Sequence, residues 1–252
     1  MKKPIALLLS LACILAVISG CAGAPADTAE SPEPSATSAL AEPEPEQTAE
    51  EPPGVLKVAC VGDSITEGLM IANPAVDSYP AQLQVLLGDG YEVKNFGVSG
   101  RTLQSSLPST VAAFVAGPYK NEAAYTNSLE FLPDIVLIML GTNDAFWAWD
   151  TEKYEAELEE FVNIYRDLDS APEVWLMTCP PSYMAGFDYA STIITNDVVP
   201  AINRVAEKIG APVIDVYAAL DGHSDLYVDG LHPGAAGAAI IAETVNNSII
   251  SG

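Results

Sequence analysis

Five short apolar runs follow one another along the chain after residue 55. They are rich in valine, isoleucine and leucine and cover residues 56–61, 91–96, 135–140, 174–178 and 212–216. Between them, apolar residues recur at helical spacing over residues 79–87, 151–168, 193–209 and 235–250. Strands that alternate with helices form a parallel sheet covered on both faces. The pattern therefore predicts an α/β fold of three layers, in which helices cover both faces of a parallel sheet of five strands.

Polar loops follow the first three predicted strands. Ser64 follows the first strand, Gly100 the second and Asn143 the third. We expect the flavodoxin-like strand order 2-1-3-4-5, in which the ligand site lies beyond the C-terminal ends of the strands. The three residues are therefore expected at one cleft, where Asp229 and His232 join them from the loop before the last helix.

The chain has two histidines, and one of them, His232, follows Asp229 by three residues. A serine hydroxyl is a poor nucleophile near neutral pH, so it needs an imidazole base whose tautomer a carboxylate commonly fixes. The spacing allows Asp229 to reach Nδ1 of His232. The competing base is His223, in a segment typical of an exposed loop. We favour His232 because it combines a nearby carboxylate with a position at the start of the closing helix.

Four sequence blocks resemble those of the SGNH, or GDSL-type, hydrolase family. They are GDS at residues 62–64, GVSGRT at 97–102, GTND at 141–144 and DGLH at 229–232. The resemblance covers the chain from Val55 to the C-terminus. It implies that Ser64 is the nucleophile of a triad with Asp229 and His232, and that Ser64, Gly100 and Asn143 form the oxyanion hole.

The chemistry of these residue types agrees with the implied roles. A donor aimed at the oxyanion of a tetrahedral intermediate lowers the barrier by about 2.7–4 kcal/mol. Gly100 has no side chain to block the approach of a substrate to its N–H. The amide of Asn143 donates without ionising, so it does not compete for the catalytic proton.

Other roles for residues in these loops require no catalysis. Ser64 with Glu67 three residues later matches a helix capping box, although the four blocks together favour the nucleophile. Asp63 and Asp144 are expected to organise turn backbone rather than to form the acid pair of a glycosidase. Arg101 is expected in solvent.

Aromatic residues follow the GTND block. Phe146, Trp147 and Trp149 belong either to the core or to a loop wall that contacts an acyl group or a sugar ring. Tyr183, near the end of the fourth strand, is a further candidate for that wall, and Tyr79 is a weaker one.

The N-terminal residues predict secretion and lipid anchoring. Residues 1–20 have the layout of a signal peptide, and Ile18 to Cys21 resemble a bacterial lipobox with Cys21 as the lipid site. Residues 21–54 are rich in Pro, Glu and Ala, a composition that favours a disordered tether. We therefore expect an extracytoplasmic catalytic domain over residues 55–252, attached to the bacterial cell membrane through the lipid alone.

The net charge excludes two classes of binding partner, and the cysteines indicate whether disulfides or metal sites are present. With 34 acidic and 10 basic residues the formal net charge is −24, which argues against nucleic acid and against direct adhesion to anionic lipid. Cys60 and Cys179 lie in strands that are not expected to be neighbours, so buried free thiols are predicted. No spacing of Cys and His indicates a metal site, and we expect no metal and no cofactor.

These patterns lead to two classes of function. The first is a serine esterase that removes small acyl groups. The resemblance of this lipid-anchored SGNH sequence to carbohydrate O-acetylesterases implies that the group is acetyl and that it is removed from a glycan. Lysophospholipase, thioesterase, arylesterase and acyltransferase activities remain open within this class. The second is a non-catalytic lipoprotein that binds a carbohydrate or another solute.

Overall fold

The fold is taken from a computed structural model that describes residues 54–111 and 116–251. The predicted signal peptide, Cys21 and the predicted tether up to residue 53 lie outside these residues. Within them, no helix is both long and apolar enough to cross a membrane.

The described strands form one sheet of five and one sheet of two. The strands are β1 (Leu56–Gly62), β2 (Tyr91–Gly97), β3 (Arg101–Thr102), β4 (Gly117–Pro118), β5 (Ile135–Met139), β6 (Glu173–Met177) and β7 (Val213–Ile214). The large sheet has the order β2-β1-β5-β6-β7, and all of its strand pairs are parallel. Counted without the short β3 and β4 pair, this is the predicted order 2-1-3-4-5, which is confirmed.

Helices cover both faces of the large sheet. They are α1 (Ser64–Glu67), α2 (Pro74–Asp77), α3 (Tyr79–Leu87), α4 (Ala123–Glu130), α5 (Thr142–Trp147), α6 (Thr151–Arg166), α7 (Asp188–Ile193), α8 (Val199–Ile209), α9 (Val216–Leu220) and α10 (Ala235–Ser251). Single 3₁₀ turns lie at Gly88–Gly90, Tyr119–Asn121 and Ser224–Leu226. Successive residues of a strand point to opposite faces of the sheet, so there are two separate hydrophobic cores. One lies between the sheet and the helices α6 and α8, and the other between the sheet and α3 and α10.

Two predicted elements differ from those observed. The helix predicted over residues 193–209 consists of a π-helical turn at Ile194–Val198 and α8, and the helical segment begins earlier than predicted, with α7 at Asp188. Pro200 lies in the first turn of α8, where its missing N–H interrupts the regular hydrogen-bond ladder. The last strand is shorter than predicted because Asp215 caps α9 through the N–H of Ala218, so that Val216 already begins a helix.

Cys60 lies in β1 and Cys179 follows β6, with β5 between the two strands. Both thiols are free and fully buried, as predicted. Burial raises the pKa of each thiol far above its ordinary value. Neither cysteine is therefore placed to act as a reactive thiolate.

Candidate active site

The turn after β1 presents Ser64 at the carboxyl edge of the sheet. Asp63, and not Ser64, caps α1, because its Oδ1 accepts the N–H of Ile65 at 3.0 Å. A Cβ on Gly62, the last residue of β1, would lie 2.8 Å from the carbonyl oxygen of Met139 in β5, so the close approach at this point requires glycine. The capping role considered for Ser64 thus belongs to its neighbour, and the Ser64 hydroxyl is left for other contacts.

Ser64, His232 and Asp229 form a continuous chain of hydrogen bonds. The Oγ of Ser64 lies 2.9 Å from Nε2 of His232, and Nδ1 of the same ring lies 2.8 Å from Oδ2 of Asp229. The other carboxylate oxygen of Asp229 accepts the backbone N–H groups of Leu231 and His232. Burial works to raise the pKa of Asp229, but the hydrogen bonds from His232 and Leu231 outweigh it and hold the pKa below its ordinary value.

The loop that carries Asp229 and His232 is held by backbone contacts to the segment after β6. The N–H of Tyr183 donates to the carbonyl oxygen of Gly230 at 2.6 Å. Gly230 has φ +84°, and a Cβ there would lie 2.7 Å from the carbonyl oxygen of Tyr183. The ring of Tyr183 packs edge-on against Tyr227, and its hydroxyl accepts the N–H of Gly222. Tyr183 therefore supports the histidine loop rather than the predicted substrate wall.

Asn143 and Gly100 face the same cavity as Ser64. The Nδ2 of Asn143 donates to Oδ2 of Asp63 at 3.2 Å and to the carbonyl oxygen of Arg101 at 3.0 Å. Gly100 has φ +74°, a backbone conformation that favours glycine. The structure thus brings together all five residues expected for the triad and the oxyanion hole.

The buried carboxylates of Asp63 and Asp144 accept hydrogen bonds from the loops around Asn143, and both were expected to organise turn backbone. Asp144 accepts the backbone N–H groups of Leu103 and Gln104, and Asp63 holds Asn143. Burial raises the pKa of Asp63 to about 7, with a smaller contribution from the charge of Asp144, and burial also raises the pKa of Asp144 to about 6. Neither of the two lines the cavity, so both act on the loops and not on a substrate.

The cavity has a volume of about 290 Å³ and one largely apolar side. Its apolar lining consists of Leu69, Phe146, Trp147, Met184, Phe187 and Leu231. Of the two positions that the sequence leaves open for the tryptophans, Trp147 lies at the cavity wall and Trp149 does not. Trp149 packs against Tyr154 at a ring distance of 4.9 Å, donates to Oγ1 of Thr151 and borders a separate surface cavity.

The sequence interpretation missed two aromatic residues at this wall. Phe187 and Tyr189 follow β6, and their rings lie 5.3 and 6.4 Å from that of Phe146. Phe187 lines the cavity, whereas Tyr189 packs against Phe146 without belonging to the lining. The hydroxyl of Tyr189 donates to the carbonyl oxygen of Phe146, which ties the two loops together. Their position after the C-terminal end of a parallel strand is the signal that could have identified them.

The other candidates lie away from the cavity lining. His223 is exposed on the loop after α9, which leaves His232 as the histidine in contact with Ser64. Tyr79 is fully buried with its hydroxyl 3.2 Å from Oγ1 of Thr66. Arg101 is not the solvated residue that the sequence suggests, because its Nε lies 2.6 Å from a carboxylate oxygen of Glu122. Within residues 54–111 and 116–251, no cluster of His, Cys, Asp and Glu could hold a metal ion.

Comparison with known proteins identifies the family. The sequence profile described as GDSL-like lipase/acylhydrolase matches residues 60–240, which include every residue of the site. The chain belongs to the GDSL-like lipase/acylhydrolase family. Lipases and acylhydrolases, for which this family is named, hydrolyse ester bonds.

One curated relative of this GDSL-like acylhydrolase is an acetylxylan esterase of Xylanibacter ruminicola. The two are 36% identical over 215 residues, which cover 77% of this chain and 43% of the relative. This chain thus spans less than half the length of that relative.

Solved structures match the fold of the GDSL-like acylhydrolase. An aryl esterase of M. smegmatis superposes with a TM-score of 0.61 at 19% identity, covering 78% of this chain and 99% of that structure. An acetylxylan esterase from Geobacillus stearothermophilus gives a TM-score of 0.60 at 24% identity and covers 78% and 94% of the two chains. At these identities the matches establish the shared α/β fold.

Proposed function

We propose that the protein is a serine esterase that removes small acyl groups, principally acetyl, from a carbohydrate. The observation that carries the proposal is the hydrogen-bonded chain from Ser64 through His232 to Asp229, which opens into the cavity lined by Gly100 and Asn143. A binding protein has no use for a nucleophile, a base and oxyanion donors at one point.

The proposed reaction starts with proton transfer from Ser64 Oγ to His232 Nε2, as Oγ attacks the ester carbonyl carbon. The resulting tetrahedral intermediate expels the sugar alkoxide, which takes the proton from His232. Water then attacks the acyl carbon with His232 again as the base, and the second tetrahedral intermediate breaks its bond to Ser64 Oγ, which takes the proton back from His232 as the carboxylic acid leaves. Asp229 stays ionised throughout, since hydrogen bonds lower its pKa, and it stabilises the imidazolium.

In this mechanism the oxyanion shares a hydrogen that Asn143 already donates elsewhere. Both amide hydrogens of Asn143 have acceptors, and the contact to Asp63 is the longer of the two at 3.2 Å. These two bonds fix the orientation of the amide, and we expect one of its hydrogens to be shared with the oxyanion when it forms.

Replacing Asn143 by alanine is expected to lower kcat by about 10² to 10³ with a much smaller change in KM, because the donor acts mainly when the oxyanion forms. Steady-state kinetics with an aryl acetate measure both constants. Asn127→Ala, on α4, provides the matched control and should retain activity. An unchanged kcat in Asn143→Ala would remove this residue from the oxyanion hole.

Two observations support an acetylated carbohydrate as the substrate. Relatives in sequence and in fold are named acetylxylan esterases. The wall formed by Phe146, Trp147 and Phe187 presents aromatic surface in the cavity of the nucleophile, and the C–H faces of a sugar ring can pack on such rings.

Acetyl esters are expected to give a higher kcat/KM than octanoyl esters, because the cavity of about 290 Å³ is small for a long acyl chain. Each methylene that a pocket accommodates contributes about 0.8 kcal/mol, so a long-chain enzyme would show the opposite trend. The dependence of kcat/KM on acyl chain length is measured with a series of nitrophenyl esters from acetyl to octanoyl. Rising efficiency from acetyl to octanoyl would favour the lipolytic alternative.

A contact between the cavity wall and the sugar can be tested with the two tryptophans, because Trp147 lines the cavity and Trp149, which does not, is the control. Trp147→Ala should raise KM for an acetylated xylo-oligosaccharide more than for an aryl acetate, whereas Trp149→Ala should leave that ratio unchanged. Equal effects of Trp147→Ala on both substrates would argue against the sugar wall.

We also propose that the enzyme works outside the cytoplasm, anchored to the membrane by lipid on Cys21 and held at a distance by the tether. The sequence of residues 1–54 is the support for this. Cys21→Ser should release the protein to the soluble fraction with catalysis intact. Wild-type protein found free and unacylated would contradict it.

A further inference from the structure

The side chain of Glu67 contacts a loop other than its own. Glu67 ends the short helix α1 that begins with the nucleophile Ser64, so one helical turn separates the two residues. Its Oε2 accepts the backbone N–H of Ser99 at 2.8 Å and also the Ser99 hydroxyl. Two donors from one residue thus converge on a single carboxylate oxygen, and charged acceptors make the stronger hydrogen bonds.

Ser99 directly precedes Gly100. The N–H proposed as an oxyanion donor belongs to the peptide that joins these two residues, so the direction of that N–H depends on the conformation of Ser99. Gly100 has φ +74° and is conformationally permissive, so the glycine itself imposes little restriction on this peptide. The carbonyl oxygen of Gly100 accepts the N–H of Gly117 on the far side of the glycine, and the hydrogen bonds from Ser99 to Glu67 restrict the near side.

The end of β2 is attached to the nucleophile turn by further contacts. The Nδ2 of Asn95 donates to the carbonyl oxygen of Thr66 at 2.8 Å, and its Oδ1 accepts the N–H of Gly97. A Cβ on Gly97 would clash with the backbone of Thr66 and Glu67. The two loops therefore approach closely, and Glu67 is the charged group that joins them beyond β2.

Glu67 does not belong to the lining of the catalytic cavity. It borders a separate surface cavity between β2, α2 and α3, whereas Ser99 and Gly100 line the catalytic one. Any effect of Glu67 on the reaction must then pass through Ser99. A negative charge near the oxyanion is itself unfavourable, so its contribution is expected to come from geometry.

We infer that Glu67 is a positioning residue that orients the Ser99–Gly100 peptide, and with it one donor of the oxyanion hole, relative to Ser64. The inference rests on the proposed esterase function. It adds a residue that couples the nucleophile turn to the oxyanion loop without touching substrate.

Kinetics of three variants test the inference, with an aryl acetate as substrate and thermal unfolding measured in parallel. Glu67→Ala should lower kcat by about 10- to 100-fold with little change in KM, less than the loss of a donor outright. Glu67→Gln retains an oxygen acceptor without the charge and should recover most of that loss. Ser99→Ala keeps its backbone N–H and should fall between wild type and Glu67→Ala. Glu207→Ala, exposed on α8, is the control for removing an acidic residue.

Two results would overturn the positioning role. One is a kcat for Glu67→Ala within about twofold of wild type. The other is a loss that Glu67→Gln does not rescue and that tracks a lower unfolding temperature, as expected of a purely structural contact. Retained activity in Ser64→Ala would instead refute the esterase mechanism itself, so the two failures are distinguishable.

Discussion

Ser64→Ala and His232→Ala should each reduce kcat by up to about 10⁶, and the double variant should be scarcely worse, because nucleophile and base act as one unit. Without the imidazole the hydroxyl is not activated, and without the hydroxyl the imidazole has no proton to take. Hydrolysis of an aryl acetate measures the loss. The residual rate should reflect the oxyanion donors and substrate binding alone.

Covalent labelling separates this mechanism from simple binding. A fluorophosphonate should modify wild-type protein at Ser64 and should fail to modify Ser64→Ala. His223→Ala removes the other histidine of the chain from an exposed loop and should behave as wild type. Near-native hydrolysis by folded Ser64→Ala would disprove the triad and would reopen the case for a binding lipoprotein.

Asp229→Asn is expected to cost about 10⁴ in kcat while leaving the fold intact. The carboxylate accepts a hydrogen bond from Nδ1 of His232, which leaves Nε2 free to accept the proton of Ser64. An amide can donate to Nδ1 instead and so stabilise the wrong tautomer. Steady-state kinetics of the variant measure the loss in kcat, and its thermal unfolding measures whether the fold is intact.

The pH dependence of stability offers a second measurement on Asp229. Its pKa in the folded state is below the ordinary value, so the ionised form stabilises the fold above the unfolded pKa. That contribution is lost as the pH falls through the folded pKa, and it should be missing in Asp229→Asn. Asp225→Asn, an exposed acid in the same loop, is the control for the stability measurement.

Full esterase activity in Asp229→Asn would exclude Asp229 from the triad.

Most of the sheet could be predicted because its strands are buried on both faces. Residues 58–61 of β1 are fully buried and therefore uniformly apolar, which makes them visible as a run. The helices α3 and α6 were visible for a related reason, since each packs one face on the sheet. In contrast, the π-helical turn before α8 depends on how Pro200 is accommodated, and apolar spacing carries no sign of it.

The four blocks located the polar residues of the site because each block lies directly at the end of a strand or the start of a helix. Parallel strands bring those ends to one edge, so the convergence of Ser64, Gly100 and Asn143 follows from chain order and sheet order together. The substrate wall did not follow in this way. Trp147 and Trp149 are two residues apart, yet the end of α5 between them turns one toward the cavity and the other toward Tyr154.

The sequence by itself therefore determined the succession of strands and helices and the positions of the four blocks at their ends, because local composition and periodicity encode them. It favoured His232 over His223 because of the neighbouring Asp229, whereas the strand order was an expectation from the type of fold that the structure confirmed. Only the tertiary structure decided which side chains meet across loops. Phe187 joins Phe146, Tyr183 holds Gly230 and Glu67 accepts two hydrogen bonds from Ser99. The physical reason is that these contacts join residues far apart in the chain, and their partners are selected by packing and by the paths of the loops rather than by any local pattern.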